Sequence, residues 1–118
     1  MALIFSETLK NNYEFRRLYS RGKSAPTATL VLYVRRTRRP LNRVGITVTN
    51  KLGKAVKRNR VRRRLREIYR LHESRLQHGL ELVIVARMRS VTASYAELER
   101  DYLKACARLG ILATGECV

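Results

Sequence analysis

The stretch "KAVKRNRVRRRLREIYR" (54–70) concentrates positive charge in the middle of the chain. Nine of its seventeen residues are Lys or Arg, and only Glu67 opposes them. Apolar and His side chains recur at i, i+4, i+7 and i+11, the spacing of one helical stripe: Val61, Leu65, Ile68 and His72. Because no Gly or Pro follows Gly53 in this segment, the pattern predicts a helix over 57–74 that packs by its apolar stripe.

The opposite side of this predicted helix is basic. The same spacing recurs in a polar stripe: Asn59, Arg63, Arg66 and Arg70. At about 100° per residue, this stripe lies opposite the apolar one. Like charges on neighbouring helix positions repel each other, and Arg, which outnumbers Lys seven to two here, is suited to bidentate contact with phosphate. A merely solvated helix face gains little from that composition, so the pattern favours RNA or DNA binding.

The whole chain shares this basic character. Its 118 residues are 45% hydrophobic, which fits a single domain over 1–118 with a packed core. A net charge of +17 destabilises a compact fold and implies a polyanionic partner, with nucleic acid first and an anionic membrane surface second. No stretch approaches the ~20 apolar residues of a spanning helix, and the N-terminus lacks the basic start of a signal peptide. We therefore expect a cytoplasmic protein.

Before the basic stretch, the pattern predicts one helix and two strands. Asn11 and Glu14 resemble a capping box at the start of a helix over 12–20. The β-branched run "TLVLYVR" (29–35) and the alternating run "RVGITV" (43–48) are each typical of a strand. The short basic connection between these two strands predicts an antiparallel hairpin.

After the basic stretch, the pattern predicts one more strand and one more helix. The apolar run "LELVIVA" (80–86) fits a central strand covered on both faces. Ser94 and Glu97 form a second capping-box pattern, which begins a helix over 95–109. The order α-β-β-α-β-α predicts an α+β fold, a two-layer α/β sandwich. We expect the first eight residues and the tail after 109 to be loosely ordered.

Catalytic and metal-binding patterns are absent from the sequence. It has no Gly-rich phosphate loop and no acidic cluster suited to Mg²⁺. His72 and His78 have no partner at ligand spacing. Cys106 and Cys117 lie eleven residues apart, which fits reduced, inert thiols better than a redox or zinc motif. The composition therefore favours a binding protein over a nuclease that acts alone.

Three aromatic residues near basic ones favour RNA over DNA: Phe15, Tyr19 and Tyr33. Single-stranded RNA is commonly held by exposed aromatic rings beside a positive groove, and nothing in the chain resembles a helix-turn-helix, a zinc finger or a basic zipper. The alternative is that these rings belong to the core. Their spacing leaves both possibilities open.

The segment "RVGITVTNKLGKAVKRNRVRRRLREIYR" (43–70) resembles the signature of the bacterial ribonuclease P protein subunit. The matching features are Lys51, Gly53, the triplet Arg58-Asn59-Arg60 and the run that ends at Arg66 and Glu67. Weaker matches in the same order extend the resemblance over 9–109. It implies an α/β sandwich whose strand–helix–strand crossover through the helix over 57–74 is left-handed, an exception to the usual rule.

The resemblance also implies a function: a subunit of the ribonucleoprotein endoribonuclease that removes the 5′ leader from precursor tRNA. Catalysis would belong to the RNA subunit with its Mg²⁺ ions, and this chain would supply no catalytic residue, metal ligand or cofactor and bind neither DNA nor membrane. By the family pattern, these residues would face the catalytic RNA: Lys51, Lys54, Arg58, Asn59, Arg60, Arg62, Arg63, Arg66 and Arg70. Phe15, Tyr19 and Tyr33 would lie in a cleft for the leader. The alternative is a ribosomal or other structural RNA-binding protein without an enzymatic partner.

Overall fold

A computed structural model describes residues 6–9 and 12–113 of the chain. Five strands form one sheet: β1 (Ser6–Thr8), β2 (Lys23–Pro26), β3 (Leu30–Arg36), β4 (Asn42–Thr47) and β5 (Leu80–Ala86). Three α-helices accompany it: α1 (Asn12–Arg21), α2 (Ala55–His72) and α3 (Tyr95–Leu109). Short 3₁₀ turns connect them at Asn50–Leu52, Glu73–Arg75 and Met88–Val91. The predicted helices and strands are all confirmed, with ends that move by two residues at most.

The sheet order is β1-β4-β5-β3-β2. The β1, β4 and β5 strands are parallel to one another, whereas β3 runs antiparallel to both β5 and β2. The prediction that β3 and β4 form a hairpin is therefore wrong. Their connection passes the start of β5, where the Thr37 backbone N–H donates to the Gly79 carbonyl at 2.7 Å. A central position in the sheet suits the apolar β5, because it is covered on both sides there and would be more exposed to water at an edge.

The α2 helix connects β4 to β5, which are parallel neighbours. The β-α-β crossover is thus present, and its left-handed sense stays a prediction of the family resemblance. The two edge strands, β1 and β2, are too short for the sequence pattern to have indicated them.

The α/β sandwich is confirmed, and its helices divide between the two faces of the sheet. The main core lies between the sheet and the pair α2 and α3, and includes Leu32, Leu65 and Tyr102. On the other face, a smaller cluster joins Leu18 of α1 to Val83 of β5. As predicted, β5 is buried on both faces. Each fully buried Leu or Ile side chain contributes roughly 1.5–3 kcal/mol, so the two clusters together fix where the helices lie.

Local signals set several of the boundaries. The predicted capping box at the start of α3 is confirmed, because the Ser94 hydroxyl accepts from the Glu97 N–H at 3.1 Å and the Glu97 carboxylate accepts from the Ser94 N–H at 3.2 Å. The earlier capping pattern depends on Asn11, which lies outside the described residues.

Parts of both chain ends contact the rest of the fold, and the loose order expected there stays a prediction. Ser6–Thr8 pairs with β4. Ile111 is buried, and Leu112 forms a β-bridge with Leu76. Residues 1–5 and 114–118, which include Cys117, lie outside the described part of the chain.

Candidate nucleic-acid interface

The α2 helix has one buried side and one basic side, in the register that the sequence predicts. Val61, Leu65 and Ile68 are at most 2% exposed, and Tyr69 is buried beside them. On the outer side, Asn59, Arg63 and Arg66 are exposed. The sequence reasoning placed His72 on the buried stripe, but it lies half-buried at the helix end and bonds to the Glu99 carboxylate at 2.8 Å.

Three of the predicted basic residues have partners within the protein. The Arg58 guanidinium donates to the Gly53 carbonyl at 3.1 Å and to the Asn50 Oδ1 at 2.8 Å, which ties α2 to the preceding turn. The Arg62 Nη1 donates to the Asn59 Oδ1 at 3.0 Å. The Arg70 Nη2 lies 2.6 Å from the Glu67 Oε1. Hydrogen bonds from Arg70 hold the pKa of the Glu67 carboxyl below its ordinary value, so this acid is ionised at neutral pH.

The remaining members have no ion-pair partner or acceptor within the described part of the chain: Lys51, Lys54, Arg60, Arg63 and Arg66. All five are exposed. Asn59, Arg62, Arg63 and Arg66 also line a shallow depression of about 240 Å³. We call the side chains from Lys51 to Arg70 that the sequence singles out the basic face of α2. Among them, only the charge of Arg70 is offset by an acid within the described residues.

The three predicted aromatic residues lie together on the other face of the sheet. The Tyr19 and Tyr33 rings meet edge to face with centroids 5.0 Å apart. The Tyr19 hydroxyl is 3.1 Å from the Thr47 Oγ1. Beside them is an open cleft of about 580 Å³ with these lining residues: Phe15, Arg16, Tyr19, Ile46 and Thr47. We call this cleft, with Tyr33 at its side, the aromatic cleft.

The aromatic rings belong partly to the core and partly to the surface. Tyr19 is 40% exposed, whereas Phe15 and Tyr33 are half-buried against the smaller cluster. All three rings are thus at least partly buried or packed, and their contact with RNA stays a prediction. Sequence reasoning missed Thr47 as part of this cleft, although the alternation of β4 put Thr47 on the side opposite Val44 and Ile46.

A buried acid on β5, in contact with α1, was also missed. Glu81 is 1% exposed, and its carboxylate lies 2.9 Å from the Arg35 Nη1 and 3.1 Å from the Arg17 Nη2. A second acid, Glu14 of α1, pairs with the Arg43 Nη1 at 2.9 Å. These ion pairs tie α1 directly to β5 and β4, and through the Glu81 carboxylate to β3. The available signal was an acid within the apolar run 80–86, because a carboxylate buried in a central strand requires a cationic partner.

The described residues hold no obvious catalytic centre. Within 6–9 and 12–113, no three His, Cys, Asp or Glu side chains come together in a group that could hold a metal ion. Burial raises the pKa of the Cys106 thiol to about 12, so this cysteine stays protonated and unreactive at neutral pH. None of the described helices is long and apolar enough to cross a membrane.

A basic helix on one face and an aromatic cleft on the other are the features of a small nucleic-acid-binding protein built on an α/β sandwich. The chain belongs to the ribonuclease P protein family, since the family model described as Ribonuclease P matches residues 5–110. Members of this family are the protein component of the tRNA-processing enzyme ribonuclease P, which implies an RNA subunit as the partner.

Sequence similarity to ribonuclease P protein components of other organisms supports this assignment. The ribonuclease P protein component of Natranaerobius thermophilus is 41% identical over 97 residues, 82% of this chain and 84% of that protein. The component from Clostridium kluyveri is 39% identical over 105 residues, 87% of this chain and 94% of that protein. The resemblance inferred from the sequence is therefore confirmed.

Solved structures show the same fold. The RNase P protein of Staphylococcus aureus superposes with a TM-score of 0.82 at 25% identity, over 90% of this chain and 97% of that one. The RNase P protein of Thermotoga maritima superposes with a TM-score of 0.75 at 26% identity, over 83% of this chain and 93% of that one.

Proposed function

We propose that the basic face of α2 binds the catalytic RNA of ribonuclease P and that the aromatic cleft binds the 5′ leader of precursor tRNA. The residues assigned to the catalytic RNA are Lys51, Lys54, Arg58, Asn59, Arg60, Arg62, Arg63, Arg66 and Arg70. Phe15, Tyr19 and Tyr33 are assigned to the leader.

The proposal is supported most directly by the exposed cations of the basic face that have no acid partner within the described residues: Lys51, Lys54, Arg60, Arg63 and Arg66. The helix is held to the core by Val61, Leu65 and Ile68, so its outer side cannot turn away from a partner. Lys and Arg side chains that contact phosphates release condensed counterions, which makes binding strong at low salt. Arg58, held by Asn50 and Gly53, arrives at such a contact already oriented.

The aromatic cleft suits a single strand better than a duplex. Rings such as Tyr19 and Tyr33 present faces and edges on which unpaired bases can stack. The exposed Arg16 at the cleft supplies a positive charge for the strand's phosphates. A leader bound here extends the contact with precursor tRNA beyond the tRNA body, which mature tRNA cannot match.

In this mechanism the chemistry is carried by the RNA subunit with Mg²⁺, and the protein acts through binding. Cationic side chains of α2 screen the repulsion between phosphates, so that the RNA can hold substrate and metal at moderate salt. The contact with the leader raises the affinity for precursor tRNA, the substrate, relative to mature tRNA, the product. We expect the assembled enzyme to act in the cytoplasm.

The alternative, a ribosomal or structural RNA-binding protein, is disfavoured by the family match over residues 5–110. Reconstitution with a bacterial ribonuclease P RNA at low Mg²⁺ separates the two. The proposed function requires faster release of the 5′ leader when the protein is added, whereas the alternative leaves the RNA's own rate unchanged.

One binding experiment tests both surfaces. Arg63→Ala with Arg66→Ala should weaken binding to the RNA subunit and lower the slope of log affinity against log salt by about 1 for each arginine that touches a phosphate. Tyr19→Ala should leave that binding unchanged, but in the holoenzyme it should weaken precursor tRNA by about 1–3 kcal/mol and leave mature tRNA unaffected. Fluorescence titration of labelled RNA measures both.

Arg38→Ala with Arg39→Ala is the matched control for charge, since both arginines are exposed on the β3–β4 connection, away from α2. An equal loss for this control would mean that total charge, and not the α2 face, drives binding. Equal losses of precursor and mature tRNA in Tyr19→Ala would remove the leader from the aromatic cleft.

A further inference from the structure

A second basic pocket lies where the end of α1, the start of β2, the end of β3 and the end of α3 meet. It has a volume of about 280 Å³ and a rim of four cationic side chains: Arg21, Lys23, Arg35 and Arg36. Its remaining lining is apolar: Val34, Leu109 and Ile111. Val34 and Ile111 are at most 5% exposed and belong to the main core, so the pocket floor is rigid. Among the residues that the structure describes, no acidic side chain lines it.

Gly22 brings the rim residues close to this floor. A Cβ atom at this position would lie 2.6 Å from the Leu18 carbonyl oxygen and 2.8 Å from the Val34 carbonyl oxygen. Only a glycine allows the α1–β2 turn to approach β3 so closely. Arg21 and Lys23, its two neighbours in the chain, therefore flank the pocket.

Two of the four cations are held in place. The Arg36 Nη1 donates to the Gln77 Oε1 at 2.6 Å, and the Arg35 Nη1 donates to the Glu81 Oε1 at 2.9 Å. Arg21 and Lys23 are exposed and have no acid or acceptor within the described residues. The pocket thus combines oriented guanidinium groups with free charge, and Arg forks of this kind match a phosphate.

The rim of the pocket and the side of the aromatic cleft share one strand, β3. Arg35 follows Tyr33 by two residues on β3, about 6.6 Å along the strand and on the same face of the sheet. Arg17 and Arg21 are one turn apart on α1. Glu81 joins Arg17 to Arg35, whose side chains remain 32% and 31% exposed. Cationic side chains therefore extend from the pocket along α1 and β3, and those on β3 reach to within two residues of Tyr33.

The position of the pocket favours the leader over the catalytic RNA. It lies on the β3–β2 side of the sheet, under α3, whereas α2 packs over β4 at the other side. Its volume of about 280 Å³ is just below the roughly 300–1,000 Å³ range of small-ligand sites, which limits it to one nucleotide at most. The apolar floor offers van der Waals contact to part of a base, and the cationic rim can bind the phosphate.

We propose that this pocket is a second RNA-binding site, which takes one nucleotide of the precursor-tRNA leader farther from the cleavage site than those in the aromatic cleft. The proposal rests on the proposed function, because it extends the path of the same strand. It predicts that affinity rises in two stages as the leader is lengthened, first at the cleft and then at the pocket.

The test uses holoenzyme reconstituted with a bacterial ribonuclease P RNA and a series of precursor tRNAs whose leaders are lengthened one nucleotide at a time. Arg21→Gln with Lys23→Gln should abolish only the second rise in affinity. The loss for long leaders should be roughly two- to fivefold for each charge removed, and the salt slope should fall by about 0.7 for each phosphate that is no longer neutralised. Short leaders, mature tRNA and the RNA subunit should bind unchanged.

Arg100→Gln with Lys104→Gln removes the same charge from the exposed surface of α3 and is the matched control. Weaker binding of the RNA subunit by Arg21→Gln with Lys23→Gln would assign the pocket to the catalytic RNA and overturn the proposal. A loss independent of leader length, or no loss, would also overturn it. If Tyr19→Ala still weakens precursor tRNA more than mature tRNA in that case, only the assignment of the pocket is wrong. If Tyr19→Ala weakens both equally, the assignment of the leader to the aromatic cleft is wrong as well.

Discussion

At the scale of single residues, Gly45 sets the shape of the aromatic cleft. It lies on β4 directly under the Phe15 ring, where an added Cβ atom would come within 2.5 Å of the Phe15 Cε1. The sequence pattern assigned Gly45 only to one side of a strand. The packing shows that its missing side chain makes room for the aromatic ring.

Gly45→Ala should therefore destabilise the fold and damage the cleft together. Because the Phe15 ring must move, we expect a loss of about 1–3 kcal/mol in the free energy of unfolding, as is typical of an overfilled core. Discrimination between precursor and mature tRNA should also fall. Urea denaturation and holoenzyme binding measure the two effects.

The double variant Gly45→Ala with Phe15→Leu is the control. Leucine lacks the ring atoms that the new methyl group would meet, so the two changes should cost less stability together than their sum. Recognition of the leader should not recover, because the ring is absent. If stability losses simply add, Phe15 and Gly45 are not in contact.

At the scale of elements, α2 carries one acid that offsets part of its charge. Glu67 is the only acid among the nine Lys and Arg residues of 54–70, and it holds the Arg70 guanidinium at 2.6 Å. This pair raises the pKa of Arg70 further and leaves its fork engaged within the helix. Arg70 can direct its whole guanidinium group to a phosphate of the RNA only if it releases or shares the Glu67 carboxylate.

Glu67→Gln should consequently strengthen binding to the RNA subunit. The change removes a negative charge from the basic face and releases Arg70, so the salt slope should become steeper by about 1. Titrations of the RNA subunit at several salt concentrations measure this slope. Glu99→Gln makes the same change of charge on α3 and should leave the slope unaltered. Weaker binding by Glu67→Gln would show that the acid positions Arg70 for the RNA.

At the scale of the whole molecule, net charge opposes the compact fold. The formal charge of +17 is contained within a radius of gyration of 13.3 Å. The Debye length falls from ~30 Å at 0.01 M salt to ~8 Å at 0.15 M. At 0.01 M salt the repulsion between positive charges therefore extends across the whole molecule, whereas at 0.15 M salt it acts only between neighbouring charges.

Added NaCl should therefore stabilise the free protein while it weakens RNA binding. The thermal midpoint should rise by roughly 4–8 °C for each kcal/mol of repulsion that is screened. Thermal unfolding followed by circular dichroism measures this rise. Arg38→Glu with Arg39→Glu lowers the net charge by four and should show a smaller rise. A midpoint that does not change with salt would mean that the repulsion is already relieved within the fold.

Much of the secondary structure could be predicted because its causes are local. The apolar stripe through Leu65 and Ile68, the cap at Ser94 and the apolar run 80–86 each act within one element. The strand order could not be predicted, since the choice of β5 over β4 as the partner of β3 depends on contacts between residues far apart in the chain.

The candidate surfaces divide in the same way. The register of the basic face follows from helical periodicity, and the structure confirms it. The cleft depends on which strand lies beside β4 and on α1 crossing that face. The contact of Gly45 with the Phe15 ring and the place of Thr47 in the cleft lining could therefore be seen only in the tertiary structure. The pairing of Arg17 and Arg35 with Glu81 likewise joins residues from three elements.

The amino-acid pattern was enough to predict a basic α/β protein with a charged helix in known register, and its motifs identified the family. Three features emerge only in the folded chain: which charges are free and which are paired, where β5 lies, and the placement of α1 and α2 on opposite faces. The difference lies in the range of the interactions. Periodicity and capping act within a few residues, whereas ion pairing and strand pairing depend on distances that folding alone creates.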